Sequence, residues 1–170
     1  SKGQILPGDY SRLSQEDKIK AISSIDSIAD PELLDDPIHR DTLKSIAAIR
    51  TIHQFNGPDG CHRYIISQCN SALNAMEVFG LFLLNGWKPE EIIIDIVPLF
   101  ETIDDLQNAA DVMRTLYTNP VYKLHLQRRS QRQTIMLGFS DGTKDGGYLM
   151  ANWGIYKAKE QLTAISREYN

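Results

Sequence analysis

The sequence predicts an α/β fold with parallel strands, helix-rich overall. Two observations carry this. From residue 61 onward the segments run strand, helix, strand, helix, helix, strand, helix, and such alternation means parallel strands joined by crossovers. The strands are near-continuous apolar runs, the pattern of a sheet covered on both faces. An open doubly wound sheet and a segment of a (β/α)8 barrel both fit this order. The strands are fewer than a closed barrel needs, so any barrel here is partial.

Residues 1–60 read as an N-terminal helical segment and residues 61–170 as strand–helix units, the two forming one compact body. Ser14, followed by Gln15, Glu16 and Asp17, is an N-cap with acids in the first turn, and Ile19, Ile22 and Ile25 follow at helical spacing. Residues 30–37, with Pro31 and Pro37, form a breaker-rich connection. A second helix spans 38–55, with Leu43, Ile46, Ala47, Ile49, Ile52 and His53 on its apolar side, and residues 56–60 (Asn-Gly-Pro-Asp-Gly) end it.

Residues 63–69, carrying Tyr64, Ile65 and Ile66, predict a first strand, and 70–85 a very apolar helix stopped by Gly86. Residues 92–100 form a second strand, its apolar run broken by Asp95. Helices follow over 104–117 and 120–129, then a third strand over 134–139. A long helix over 144–169 has the stripe Tyr148, Ala151, Ile155, Ala158, Leu162, Ile165 and Tyr169.

Composition bounds the function. The 170 residues are 42% apolar and 24% charged, with net charge −4, an ordinary globular balance without the basic face of a nucleic-acid protein. The longest apolar run, 78–84, is interrupted by Gly80 and far too short for a membrane span. Cys61 and Cys69 are too few for a disulfide scaffold and read as reduced thiols in a cytoplasmic protein. The chain opens at Ser1 and stops at Asn170 inside a helical pattern, as an excised piece of something longer would.

In parallel α/β architectures chemistry gathers where strands end. Glu101 stands at the end of the second strand, Asp141 just beyond the third, and Lys144 three residues later. If those strands are neighbours, ~4.8 Å apart, both carboxylates face one small volume. Two carboxylates with substrate or water oxygens suit Mg2+ or Mn2+. A plainer reading stands beside this: Asp141 or Thr143 caps the following helix, and Glu101 complements the next helix N-terminus. Lys144 fits that reading less well, because a cation in the first turn opposes the helix dipole by ~0.3–1 kcal/mol. Gly142, Gly146 and Gly147 allow close backbone approach, but the order of a phosphate loop is absent.

Other candidates are structural. His39, His53, His62 and His125 have no metal-ligand spacing and read as surface or packing residues. Lys123, Arg128, Arg129 and Arg132 read as a solvated helix end, Trp87 and Trp153 as packing residues, and Asp104 and Asp105 as first-turn acids.

At the two strand ends the sequence resembles a known family. Val97-Pro98-Leu99-Phe100-Glu101-Thr102-Ile103-Asp104-Asp105-Leu106, continuing through Asn108-Ala109 and Asp111-Val112-Met113, is similar to phosphoenolpyruvate carboxylase. So is Met136-Leu137-Gly138-Phe139-Ser140-Asp141-Gly142-Thr143-Lys144-Asp145-Gly146-Gly147, with Met150-Ala151-Asn152-Trp153 and Tyr156-Lys157-Ala158 after it. Tyr64-Ile65-Ile66-Ser67, Gly8-Asp9-Tyr10 and Ser14-Gln15-Glu16 extend the likeness over nearly the whole chain. Phe139 replaces the family's usual Tyr and Gly142 its usual Ser; the acid and the lysine stay in place.

The resemblance implies a piece of a (β/α)8 TIM barrel with extra helices, and Glu101 and Asp141 as ligands of Mg2+ or Mn2+. Lys144 matches the family's active-site lysine. It implies a cytoplasmic homo-oligomeric parent, a homotetramer, that carboxylates phosphoenolpyruvate with bicarbonate to oxaloacetate and phosphate without biotin. In that reaction bicarbonate attacks the phosphoryl group, and the enolate of pyruvate captures the carbon dioxide that carboxyphosphate releases. The family's Thr-Ala-His-Pro-Thr motif and its glycine- and arginine-rich loop do not occur in these residues, so the piece alone is expected to be inactive and to self-associate through open strand edges. A metal-dependent 2-oxo acid lyase or aldolase barrel and a non-catalytic α/β binding module are the competing readings.

Overall fold

The computed structural model describes residues 5–169; residues 1–4 and 170, and with them both chain ends discussed above, lie outside that range. The elements run α1 (Gln15–Ser23), α2 (Pro37–Asn56), β1 (Arg63–Ile66), α3 (Ala72–Leu84), β2 (Asp95–Phe100), α4 (Ile103–Thr118), α5 (Pro120–Arg128), β3 (Met136–Leu137) and α6 (Ser140–Tyr169). The protein is α/β and helix-rich, with one three-stranded sheet in the order β1-β2-β3 and both pairings parallel.

Helix starts follow the sequence closely because caps are local. The Ser14 hydroxyl accepts from the Asp17 N–H at 3.1 Å, and Asp36 accepts from the Ile38 N–H at 2.8 Å. The proline-rich connection folds into a single 3-10 turn at Pro31–Leu33, with Asp30 as its cap. Asn119 caps α5 through the N–H groups of Val121 and Tyr122.

The strands are shorter than predicted because a strand lasts only as long as its partner. β1 stops at Ile66 because Gln68 turns the chain at φ 51°, although the Cys69 N–H still reaches the Leu99 carbonyl at 3.2 Å. β2 begins at Asp95, where Arg63 becomes available as its neighbour, so residues 92–94 stay outside the ladder. β3 pairs only through Leu99↔Met136 and Phe100↔Leu137. Residue 134, predicted as strand, is held instead by a side chain: the Thr134 N–H donates to the Asp95 carboxylate at 3.2 Å.

Side chains alternate across β2. Ile96 and Phe100 enter the main core with Met76, Phe79 and Phe82 of α3, Leu106, Met113 and Leu116 of α4, and Tyr122 of α5. Ile19 and Ile22 of α1 and Ile46 and Ile49 of α2 join the same cluster. The other face carries Val97 and Leu99, whose register neighbours Ile65 and Met136 remain 51% and 38% exposed. Covering of both faces, expected from the apolar strands, is thus complete on one face and partial on the other, where Val97 is buried but Ile65 of β1 and Met136 of β3 are not.

Three further expectations are corrected. α6 is broken at Gly147 (φ 78°, ψ 168°). Ala151, Ala158 and Ile165 of the predicted stripe are buried beyond the break, but Tyr148, right after it, is 69% exposed. Trp153 is not a packing residue: it is 54% exposed and stacks on Tyr156 at 5.6 Å. Arg129 is not a solvated helix end, since it forms a buried ion pair with Asp95 at 2.8 Å. Trp87 is buried, as expected.

His125 is a packing histidine, fully buried edge-on to Phe79 and Tyr122. Its Nδ1–H donates to the Ile92 carbonyl at 2.8 Å. Burial lowers its pKa to about 4, against the ordinary 6.5. The unfolded chain therefore binds this proton more readily than the folded one between pH 6.5 and 4, and stability falls as pH drops through that window. From pH 7 to 5 the loss from this residue is about 2 kcal/mol. Urea unfolding at the two pH values, compared with His125→Phe, checks it: the variant loses this part of the slope.

Candidate active site

The site forms at the C-terminal ends of β2 and β3. Glu101 follows β2 directly and is half-buried. Its backbone is fixed by Asp105, whose carboxylate accepts from the N–H groups of Glu101 (3.3 Å) and Thr102 (3.1 Å), while Thr102 Oγ1 accepts from the Asp105 N–H (3.1 Å). This is a capping box. Asp105, read from sequence as a first-turn acid, thus also orients the residue at the strand end. The Glu101 carboxylate does no capping itself and has no hydrogen-bond or ion-pair partner among the described residues.

β3 is the neighbour of β2, as the two-carboxylate reading requires. The Gly138 N–H continues the ladder to the Phe100 carbonyl at 2.7 Å. A Cβ on Gly138 would lie 3.1 Å from Glu101 Cα and 3.2 Å from its Cγ, and one on Gly142 3.3 Å from the Glu101 carbonyl oxygen. The segment bearing Asp141 therefore packs on the main chain of Glu101. The Gly142 departure has its place here, since a Cβ at 142 would press on the Glu101 carbonyl oxygen while touching Ala151 at an ordinary 3.6 Å. Phe139 is 43% exposed, edge-on to Tyr148.

Asp141 and Lys144 are exposed and paired, Nζ to Oδ1 at 2.7 Å. The hydrogen bond and charge of Asp141 raise the Lys144 pKa above the ordinary lysine value, so the ammonium persists at neutral pH. The Thr143 hydroxyl donates back to the Phe139 carbonyl at 2.9 Å rather than capping a helix. Asp145, which sequence reasoning quoted but gave no role, accepts from the Ile103 N–H of α4 at 3.2 Å.

Among the described residues no three His, Cys, Asp or Glu side chains are grouped to hold a metal. The donor chemistry of Glu101 and Asp141 nevertheless suits a hard divalent cation that keeps water or substrate oxygens in its remaining positions. The histidines do not gather here; His53 and His62, for example, bond the carbonyls of Cys61 and Asp59. Cys61 and Cys69 are free thiols, and burial pushes Cys69 up to about 11.

Comparison with known proteins points to one family. The family model described as phosphoenolpyruvate carboxylase matches residues 3–170. A phosphoenolpyruvate carboxylase of Corynebacterium diphtheriae is 35% identical over 97% of this chain and 19% of its own length. One of Mycobacterium leprae is 34% identical over 94% of the chain and 18% of its own length. One of Azoarcus sp. is 42% identical over 72% of the chain and 14% of its own length. The chain thus spans less than a fifth of the relatives it matches.

Proposed function

The chain belongs to the phosphoenolpyruvate carboxylase family, and on that footing we propose that it contributes part of the site at which phosphoenolpyruvate and bicarbonate yield oxaloacetate and phosphate. The observation that carries the reading is the packing of the Asp141 segment on Glu101 at the ends of adjacent parallel strands.

Residues 61–170 are part of a (β/α)8 barrel, with residues 1–60 packed on it as one body. Two features support this. Neighbouring strands follow in chain order, and right-handed crossovers then place successive helices on one face. α3 packs against α4, and Phe79 of α3 meets Tyr122 of α5, as a one-sided helical layer demands. A doubly wound sheet reverses its strand order and splits its helices between two faces.

Glu101 and Asp141 hold the divalent cation, Mg2+ or Mn2+, by charged oxygen donors. When bound, such a cation supplies positive charge against the negative charge that builds on substrate oxygen. Lys144, kept protonated beside Asp141, donates hydrogen bonds to bicarbonate and holds it for attack. Asp105 keeps the Glu101 backbone fixed while this happens. The working protein is a cytoplasmic homotetramer; no helix among the described residues is long and apolar enough to cross a membrane.

The test is oxaloacetate formation from phosphoenolpyruvate by the full-length protein. Turnover is expected to require both bicarbonate and a divalent cation. The 170 residues alone are expected to form no oxaloacetate, because they include neither the histidine motif nor the arginine loop. Bicarbonate-independent turnover of a 2-oxo acid with an aldehyde or acyl-CoA would replace this reading with a lyase or aldolase one. No turnover at all would favour a binding module.

A further inference from the structure

We infer that Asp145 is a positioning residue for this site: by accepting the Ile103 N–H it fixes the rotation of the short turn that carries Asp141 and Lys144. The inference rests on the ligand reading of Glu101 and Asp141 given above.

The turn is a body of its own. Its chain leaves β3 at Gly138 and is cut from the long part of α6 at Gly147, where φ 78° and ψ 168° interrupt the helix. Residues 140–146 therefore do not inherit their orientation from the helix that follows. What holds them is contact with the β2–α4 junction. Gly138 and Gly142 rest on Glu101, and a Cβ on Gly146 would come within 2.9 Å of Ile103 Cγ1. Gly142 and Gly146, four apart within the helical turn, form one smooth face, and Gly138 precedes them at the strand end. A smooth face sets distance but resists rotation weakly.

A directional tie is needed as well, and Asp145 supplies it. Its carboxylate accepts from the Ile103 N–H at 3.2 Å. Among the described residues this is the side-chain hydrogen bond that leaves the turn for the β2–α4 junction. Asp141 and Asp145 are also four apart, so they share one side of the turn. Anchoring Asp145 thus aims Asp141. The Ile103 N–H has no intrahelical acceptor, being in the first turn of α4, which makes it available for the purpose.

The experiment compares Asp145→Ala, Asp145→Asn and Asp141→Ala in the full-length protein. Mn2+ affinity is read by paramagnetic resonance and exposure of the Ile103 amide by hydrogen exchange. Asp145→Ala is expected to weaken Mn2+ binding ~10–100-fold, the range for residues that orient ligands, and to speed Ile103 exchange. Asp145→Asn keeps an acceptor oxygen and is expected to rescue both readouts. Unchanged Mn2+ affinity in Asp145→Ala, with binding lost in Asp141→Ala, overturns the positioning role and leaves the ligand reading standing. A loss in Asp145→Asn as deep as in Asp145→Ala also overturns it, since charge rather than the bond would then matter. Unchanged binding in Asp141→Ala defeats the ligand reading and the positioning role with it; the Ile103 amide then separates a bond without function from no bond.

Discussion

Asp141→Asn in the full-length protein is expected to lower kcat by about 10²–10³-fold, the scale on which removal of one preorganised electrostatic group is felt. Asparagine keeps the shape of the side chain and removes its charge. Two losses follow from the one change. The cation site is left with Glu101 as its charged oxygen donor, and Lys144, now 2.7 Å from Asp141 Oδ1, keeps an acceptor oxygen but loses the negative charge it pairs with. Glu101→Gln is expected to lose a similar factor in kcat without disturbing Lys144, because the Glu101 carboxylate has no hydrogen-bond or ion-pair partner among the described residues. The two variants should differ in one respect. Excess Mn2+ restores part of the turnover of Glu101→Gln, but less of that of Asp141→Asn, where bicarbonate orientation is disturbed as well. The double variant is expected to be little worse than either single one, because groups that act as a unit are not additive. Steady-state kinetics over a Mn2+ series checks all of this. Wild-type kcat in Asp141→Asn would remove the residue from the site.

Some of this was legible in the sequence because it is local. Ser14, Asp30, Asp36, Thr102 and Asn119 cap the turns that follow them, and a cap needs only its next few residues. That Glu101 and the segment bearing Asp141 and Lys144 follow strand ends was legible because strand ends are marked by a change of hydrophobic period. Strand length was not legible. Residues 92–94 are as apolar as residues 96–100, and only the absence of a neighbour keeps them out of the ladder. The break in α6 was not legible either: a glycine pair announces freedom, but not that Gly147 takes φ 78°. Asp145 and the partners of Asp95 were missed for a third reason. Their bonds span 42 and more than 30 positions of chain, and nothing local distinguishes an acid so bonded from an acid in water.

Arg129→Met is expected to destabilise the folded protein by about 3–5 kcal/mol, the cost of stranding one partner of a buried ion pair. Asp95 is 4% exposed, and Arg129 Nη2 meets its Oδ2 at 2.8 Å. The carboxylate also accepts from the Thr134 N–H at 3.2 Å and lies 3.4 Å from Gln133 Nε2. Gln133 in turn accepts from the Tyr122 hydroxyl at 2.9 Å and donates to the Ile96 carbonyl at 2.9 Å. Without Arg129 these neutral donors remain, but the negative charge is left buried without a cation. A domain holds only ~5–15 kcal/mol in all, so the loss is a large share. Asp95→Leu with Arg129→Met removes both charges and should recover much of it. If the double variant is as unstable as Arg129→Met, packing around the guanidinium rather than charge explains the effect. Urea unfolding of the three chains decides between them. The consequence reaches the site, because Asp95 opens β2 and Glu101 follows directly on its end. Asp95 also fixes where the chain enters β3 by holding the Thr134 N–H. A β3 free to slip by one residue would carry Gly138 off Glu101 and turn its side chains to the other face. Arg129→Met should therefore also weaken Mn2+ binding at temperatures where the protein is still folded.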